Sequence, residues 1–298
     1  MMLQKMTLGR TRMEVTQLGY GTMELRHLTI TGGWAPDEDR AERVLNAVLD
    51  AGINFIDTSW TYQNSEEFIG RYIGHRRNEY FISTKCGHFW RDDPDRSGWS
   101  HEGLLNCIEE SLTRLRTDHV DILQLHNPTR EEIQRYNCVS TLQEIQAQGK
   151  TRFIGVSTTL PYVEEFLEMG VFDTFQLPYS ALEPENEEML SRIAQRGAGT
   201  IIRGGVAKGA PVVQTSDLPQ FANIKLRWEK AGLGALVPQL DPLELLLRFT
   251  LSHPSVHTVI VGTKDLGHLQ ANLRAAEKGP LDARLVEAIR TQVASVLS

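Results

Sequence analysis

The chain has 298 residues, 41% hydrophobic and 23% charged, with a formal net charge of −7. That acidic balance argues against nucleic acid or an anionic membrane as the main partner. Three cysteines without CxxC spacing argue against a disulfide framework. There is no apolar leader core at the N-terminus and no apolar run long enough to span a bilayer, so a soluble cytoplasmic protein is expected, a monomer or weak homo-oligomer.

Taken in chain order, residues 3–15 carry Gly9, Arg10 and Thr11 between short apolar stretches and read as a small hairpin. Strand-like apolar runs follow at 17–22, 53–57, 80–84, 120–125, 152–157, 173–177, 199–202 and 256–261. Most are unbroken rather than alternating, as expected of parallel strands buried on both faces. Amphipathic stretches separate them, for example Leu104, Leu105, Ile108, Leu112 and Leu115 on one helical face. Asp37, Ser100 and Asp241 stand where helices are capped. Residues 204–239 break the rhythm with five glycines and three prolines, and read as a long loop of the kind that forms lids. Eight strand–helix repeats predict an α/β fold: one (β/α)8 TIM barrel over 1–298, with an N-terminal hairpin and an extra C-terminal helix.

Some apparent motifs carry no chemistry. Gly19-Tyr20-Gly21 is not completed into G-x-G-x-x-G. Gly149-Lys150-Thr151 has Glu144 where a phosphate loop needs its first glycine, and reads as a helix end opening the next strand. His253 and His257 are separated by Pro254, which keeps them off one helical face, so no metal site is expected.

The chemistry gathers at strand ends. Asp57 ends the second barrel run, Lys85 the third and His126 the fourth, while Tyr62 follows in the loop after Asp57. Strand C-termini of a barrel converge on one mouth. Hydride delivery to a carbonyl needs a proton donor as the alkoxide forms, and a phenol with pKa of roughly 10 is a reluctant one. An ammonium beside it stabilises the phenolate left behind, a carboxylate keeps that ammonium charged, and an imidazole orients the carbonyl oxygen.

GINFIDTSWTY, ISTK and DILQLH resemble, in order, the catalytic blocks of the aldo-keto reductases, and the resemblance runs over nearly the whole chain. It implies NADPH-dependent reduction of an aldehyde or ketone, with NADH as the alternative cofactor. Tyr62 is then the general acid, Lys85 and Asp57 its tuning pair, and His126 the group that positions the carbonyl. The same resemblance assigns Gly21 and Thr22 to the cofactor, and Ser157, Thr158, Gln176 and Arg203 to its nicotinamide side. It assigns Gly204, Gly205, Val206 and Lys208 to the pyrophosphate, and Gly262, Thr263, Lys264, His268 and Asn272 to the adenosine end. Departures from the family pattern are Thr158 for an asparagine, Arg203 for an aromatic residue, His268 for an arginine, Ala271 for an acidic residue and Gln63 for the glycine after the tyrosine. A cation at Arg203 is expected to disfavour the oxidised cofactor.

Trp34, Trp60, His88 and Trp90, with Phe89 and Trp99, are expected around the mouth, where flat or apolar carbonyl compounds would stack. Other functions fit parts of the pattern. Lys85 can serve a Schiff-base aldolase, the same fold can act as a nicotinamide-binding sensor or channel-type subunit, and the reaction can run oxidatively on sugars or polyols.

Overall fold

The computed structural model describes residues 3–25, 38–87, 98–209, 211–212 and 219–297. A short antiparallel pair, β1 (Lys5–Thr7) and β2 (Glu14–Thr16), precedes the barrel. The barrel strands are β3 (Leu18–Gly21), β4 (Phe55–Asp57), β5 (Phe81–Cys86), β6 (Val120–His126), β7 (Thr151–Ser157), β8 (Thr174–Pro178), β9 (Gly199–Arg203) and β10 (Thr258–Val261). All eight are parallel, and β10 pairs with both β9 and β3 to close the barrel. Every strand expected from the sequence is present, with ends displaced by no more than two residues.

The helices are α1 (Glu38–Asp50), α2 (Ser65–Tyr72), α3 (His101–Leu115), α4 (Arg130–Arg135), α5 (Cys138–Ala147), α6 (Tyr162–Glu168) and α7 (Glu187–Gln195). They continue as α8 (Pro219–Lys230), α9 (Leu233–Leu236), α10 (Pro242–Leu251), α11 (Leu266–Glu277) and the extra C-terminal α12 (Ala283–Leu297). Capping follows the sequence: Ser100 accepts from the Gly103 amide at 3.1 Å, and Asp241 accepts from Leu243 and Glu244. Asp37 lies outside the described residues. Leu104, Ile108, Leu112 and Leu115 are buried on the inner face of α3. Gly149 closes the turn after α5 in the left-handed region, with φ of 78°.

The segment 204–239 departs from its reading as a loop. It holds α8 and α9, and Ile224 of α8, Leu233 of α9 and Ala231 in the turn between them join the main core. Glycines and prolines at its margins hide a helical stretch in the middle.

Side chains alternate along a strand, and neighbours in register share a face. Phe55, Ile122 and Ile201 form an inner apolar layer with Leu8, Met13 and Val15 of the hairpin. Two residues further along the same strands stand Asp57, Gln124 and Arg203. The register therefore sets an apolar floor below and polar chemistry above.

Candidate active site

Asp57 and Lys85 are almost fully buried, at 2% and 1% exposure. Lys85 Nζ lies 2.5 Å from Asp57 Oδ2 and 2.8 Å from the Thr58 carbonyl. A lysine this deep is held only because its charge is met and its donors are used. The same contacts pin Nζ in place, which suits an electrostatic role better than that of an aldolase nucleophile.

Above this pair sits the half-buried Tyr62, its ring centroid 5.3 Å from Lys85 Nζ. His126 meets the Tyr62 ring edge-on at 6.2 Å, and its Nδ1 lies 3.3 Å from Ser59 Oγ. Phenol, ammonium, carboxylate and imidazole thus share one mouth, as the strand ends imply.

The register continues this set into the adjoining strands. Ser157 is paired with His126 on one side and with Gln176 on the other. Ser157 Oγ donates to Gln176 Oε1 at 2.8 Å, and Gln176 Nε2 donates to Asp57 Oδ1 at 2.7 Å. Gln124, which the sequence did not single out, donates to Ser83 Oγ at 2.7 Å and to Asp57 Oδ1 at 3.3 Å. Asp57, Ser83, Gln124, Ser157 and Gln176 are all buried. The available signal was a lone amide in the apolar run VDILQLH, at an inward register position beside Lys85.

Thr22 is buried and donates to the Asp57 carbonyl at 3.1 Å, and Gly21 is in register with Asp57. Thr158 is buried, its hydroxyl directed at the Thr159 carbonyl at 3.5 Å. Arg203 ends β9 with its charge disfavoured by burial, an effect that Tyr62, Glu183 and Asp57 only partly oppose. Glu183, also missed, pairs with Lys208 at 3.3 Å. Its negative charge favours the charged form of Arg203. Gly204 is left-handed at φ 72°, and a Cβ on Gly205 would lie 2.4 Å from Val259 Cγ1. Val206 packs against the core.

A second group forms at the start of α11. A Cβ on Gly262 would stand 2.9 Å from the Gly21 carbonyl, so only glycine lets these two backbones approach. The buried Tyr20 donates to the Thr263 carbonyl at 2.6 Å. Asp265 caps the helix by accepting from the His268 amide at 3.0 Å, a bond that draws its carboxyl below the usual range. Lys264 and Asn272 are half-buried here and His268 is exposed.

Among the expected aromatic residues, Trp60 donates to Glu110 on α3 at 2.8 Å and lies under the Arg114 guanidinium. Trp99 is a core residue at 3% exposure. Trp34, His88, Phe89 and Trp90 lie outside the described residues. Gln63 adopts φ of 51°, the left-handed backbone that suits a glycine, and its Oε1 is buried without a hydrogen-bond partner among the described residues.

The model of the aldo/keto reductase family matches residues 17–293. The chain belongs to the aldo/keto reductase family. Its relatives include the uncharacterized oxidoreductase YqkF of Bacillus subtilis, 26% identical over 97% of this chain and 96% of that one. L-galactose dehydrogenase of Arabidopsis thaliana is 26% identical over 90% of this chain and 86% of its own. The holo form of aldo-keto reductase AKR11C1 from Bacillus halodurans superposes with a TM-score of 0.84 at 28% identity, covering 97% of this chain and 96% of that one. This aldo/keto reductase is accordingly an oxidoreductase of a family that binds nicotinamide cofactors. No described helix is long and apolar enough to cross a membrane.

Proposed function

We propose that this protein reduces an aldehyde or ketone to an alcohol with NADPH, using Tyr62 as general acid. The observation that carries the reading is the buried Asp57–Lys85 pair beneath the Tyr62 ring. The ammonium stabilises the phenolate as Tyr62 gives up its proton, and Asp57 keeps that ammonium charged. His126 holds the carbonyl oxygen where the Tyr62 proton arrives.

The nicotinamide side fits a carboxamide. Ser157 offers a hydroxyl and Gln176 an amide, already bonded to each other, so together they supply a donor and an acceptor. Bound there, the nicotinamide supplies the hydride to the carbonyl carbon. Gly21 and Gly262 leave room for close backbone approach, and Lys264 lies near the N-terminus of α11 for a 2′-phosphate. Asp265 favours a second reading, NADH, because its carboxylate already occupies the first turn and repels an added phosphate.

The test is NADPH oxidation against a panel of aldehydes, quinones and sugar aldehydes. Tyr62→Phe should lower kcat about 10²–10⁴-fold while leaving the Kd for NADPH unchanged. Turnover that survives in this variant removes Tyr62 as the acid. Tight NADPH binding by the wild type with no turnover on any carbonyl would instead support the sensor reading. Comparing the wild-type Kd for NADPH and NADH decides the cofactor, and a preference for NADPH that persists in Lys264→Ala rejects Lys264 as the phosphate partner.

A further inference from the structure

The two oxygens of Asp57 face different partners. Oδ2 meets the Lys85 ammonium at 2.5 Å. Oδ1 accepts from Gln176 at 2.7 Å and from Gln124 at 3.3 Å. A carboxylate only accepts hydrogen bonds, so the end of the Gln176 amide that faces it must be the NH₂ group. Gln176 Oε1 is thereby turned toward Ser157, and the 2.8 Å bond from the serine hydroxyl agrees with that orientation. Gln176 is 1% exposed and Ser157 is 1% exposed, so water does not compete to turn the amide over.

We infer that Asp57 has a second task besides holding Lys85: it fixes the amide of Gln176 with its oxygen toward the cofactor. This inference rests on the nicotinamide reading above. Gln124 supports it from the opposite side, anchored on Ser83 and donating to the same Asp57 oxygen. Gly155 makes room for Gln124, because a Cβ there would lie 2.3 Å from Thr174 Oγ1 and 3.2 Å from Gln124 Cγ. One carboxylate therefore joins proton delivery to recognition of the carboxamide. Gln176 Oε1 accepts the carboxamide N–H, a contact that a ligand with no NH₂ cannot make.

Asp57→Asn separates the two tasks. Lys85 is a pure donor, so the oxygen of the new amide must face it. The NH₂ group then takes the place of Oδ1, and Gln176 must turn its own oxygen toward it. The end of Gln176 presented to the cofactor becomes a donor, and the carboxamide NH₂ loses its acceptor.

The experiment measures Kd for NADPH and for the reduced 3-acetylpyridine analogue, whose methyl group replaces that NH₂, by titrating tryptophan fluorescence without substrate. The wild type should prefer NADPH roughly three- to tenfold, the weight of one hydrogen bond. In Asp57→Asn the ratio should fall close to one, and Gln176→Met should show the same loss with no further change when the two are combined. Asp57→Leu/Lys85→Met, which leaves no unpaired buried charge and no acceptor to fix the Gln176 amide, should lower the ratio in the same direction if the single variant is poorly folded. A preference kept in both Asp57 variants, or a wild type that binds the two compounds alike, overturns the inference while leaving cofactor binding intact. A wild type that binds neither compound overturns the nicotinamide reading and the inference together.

Discussion

At the scale of single residues, the groups behind the Asp57–Lys85 pair are as unusual as the pair itself. Glu66 on α2 is fully buried, accepts from Thr84 Oγ1 at 2.6 Å and lies 3.5 Å from the Arg114 guanidinium. Burial raises its carboxyl pKa above the ordinary 4.5, and the bonds from Thr84 and Arg114 only partly oppose it. The folded protein therefore holds this proton at pH values where the unfolded chain has lost it. The stability so contributed is complete below the ordinary value and is lost as pH rises through the raised folded one. Glu66→Gln keeps an acceptor for Thr84 and removes the titration. Urea unfolding of both proteins from pH 4 upward should show the wild type losing ground to the variant, by at most about 1.4 kcal/mol per pH unit. Parallel curves would mean that Glu66 titrates in the folded protein as it does in the unfolded chain.

Between elements, the contact of α2 with α3 turns on Gly70. A Cβ there would lie 2.1 Å from the Arg114 carbonyl oxygen and 2.7 Å from the Leu115 carbonyl carbon, both rigid backbone at the end of α3. Alanine gains about 1 kcal/mol of helix propensity over glycine, but forcing two helices apart costs about 1–3 kcal/mol or more. Gly70→Ala should therefore lower Tm, and a raised Tm would show that the helices separate freely. The sequence does not reveal such a contact, because Gly70 reads there as an ordinary helical position. The eight strands and the Asp57–Lys85–His126 set were legible because buried parallel strands are continuous apolar runs and strand ends share one mouth. Gln124 and Glu183 were not, since their roles arise from neighbours on other strands and loops. Helix α8 was obscured for a different reason: turn-forming residues on both sides outweighed its apolar spacing.

Across the whole molecule, the two ends of the barrel divide the work. The hairpin formed by β1 and β2 closes the N-terminal end, where the Arg10 amide donates to the Gly197 carbonyl at 2.7 Å and Leu8 is fully buried. Leu8 packs in the layer that holds Phe55, Ile122 and Ile201. Two residues along a strand advance about 6.6 Å, so Asp57, Gln124 and Arg203 stand one layer above, on the mouth side. Leu8→Ala removes a buried side chain that the rigid strand backbones cannot collapse to replace, a loss of about 2–5 kcal/mol. Its effect should be confined to the floor. The urea midpoint should fall, while the Kd for NADPH and the kcat on any accepted carbonyl stay at wild-type values well below the unfolding transition. Stability at one end and chemistry at the other is the general pattern of such barrels. Here the Phe55, Ile122 and Ile201 layer is the physical separation, since apolar side chains pass no hydrogen bond from Leu8 to Asp57. A fall in kcat that tracks the loss of stability would show instead that this layer transmits strain to the Asp57 network.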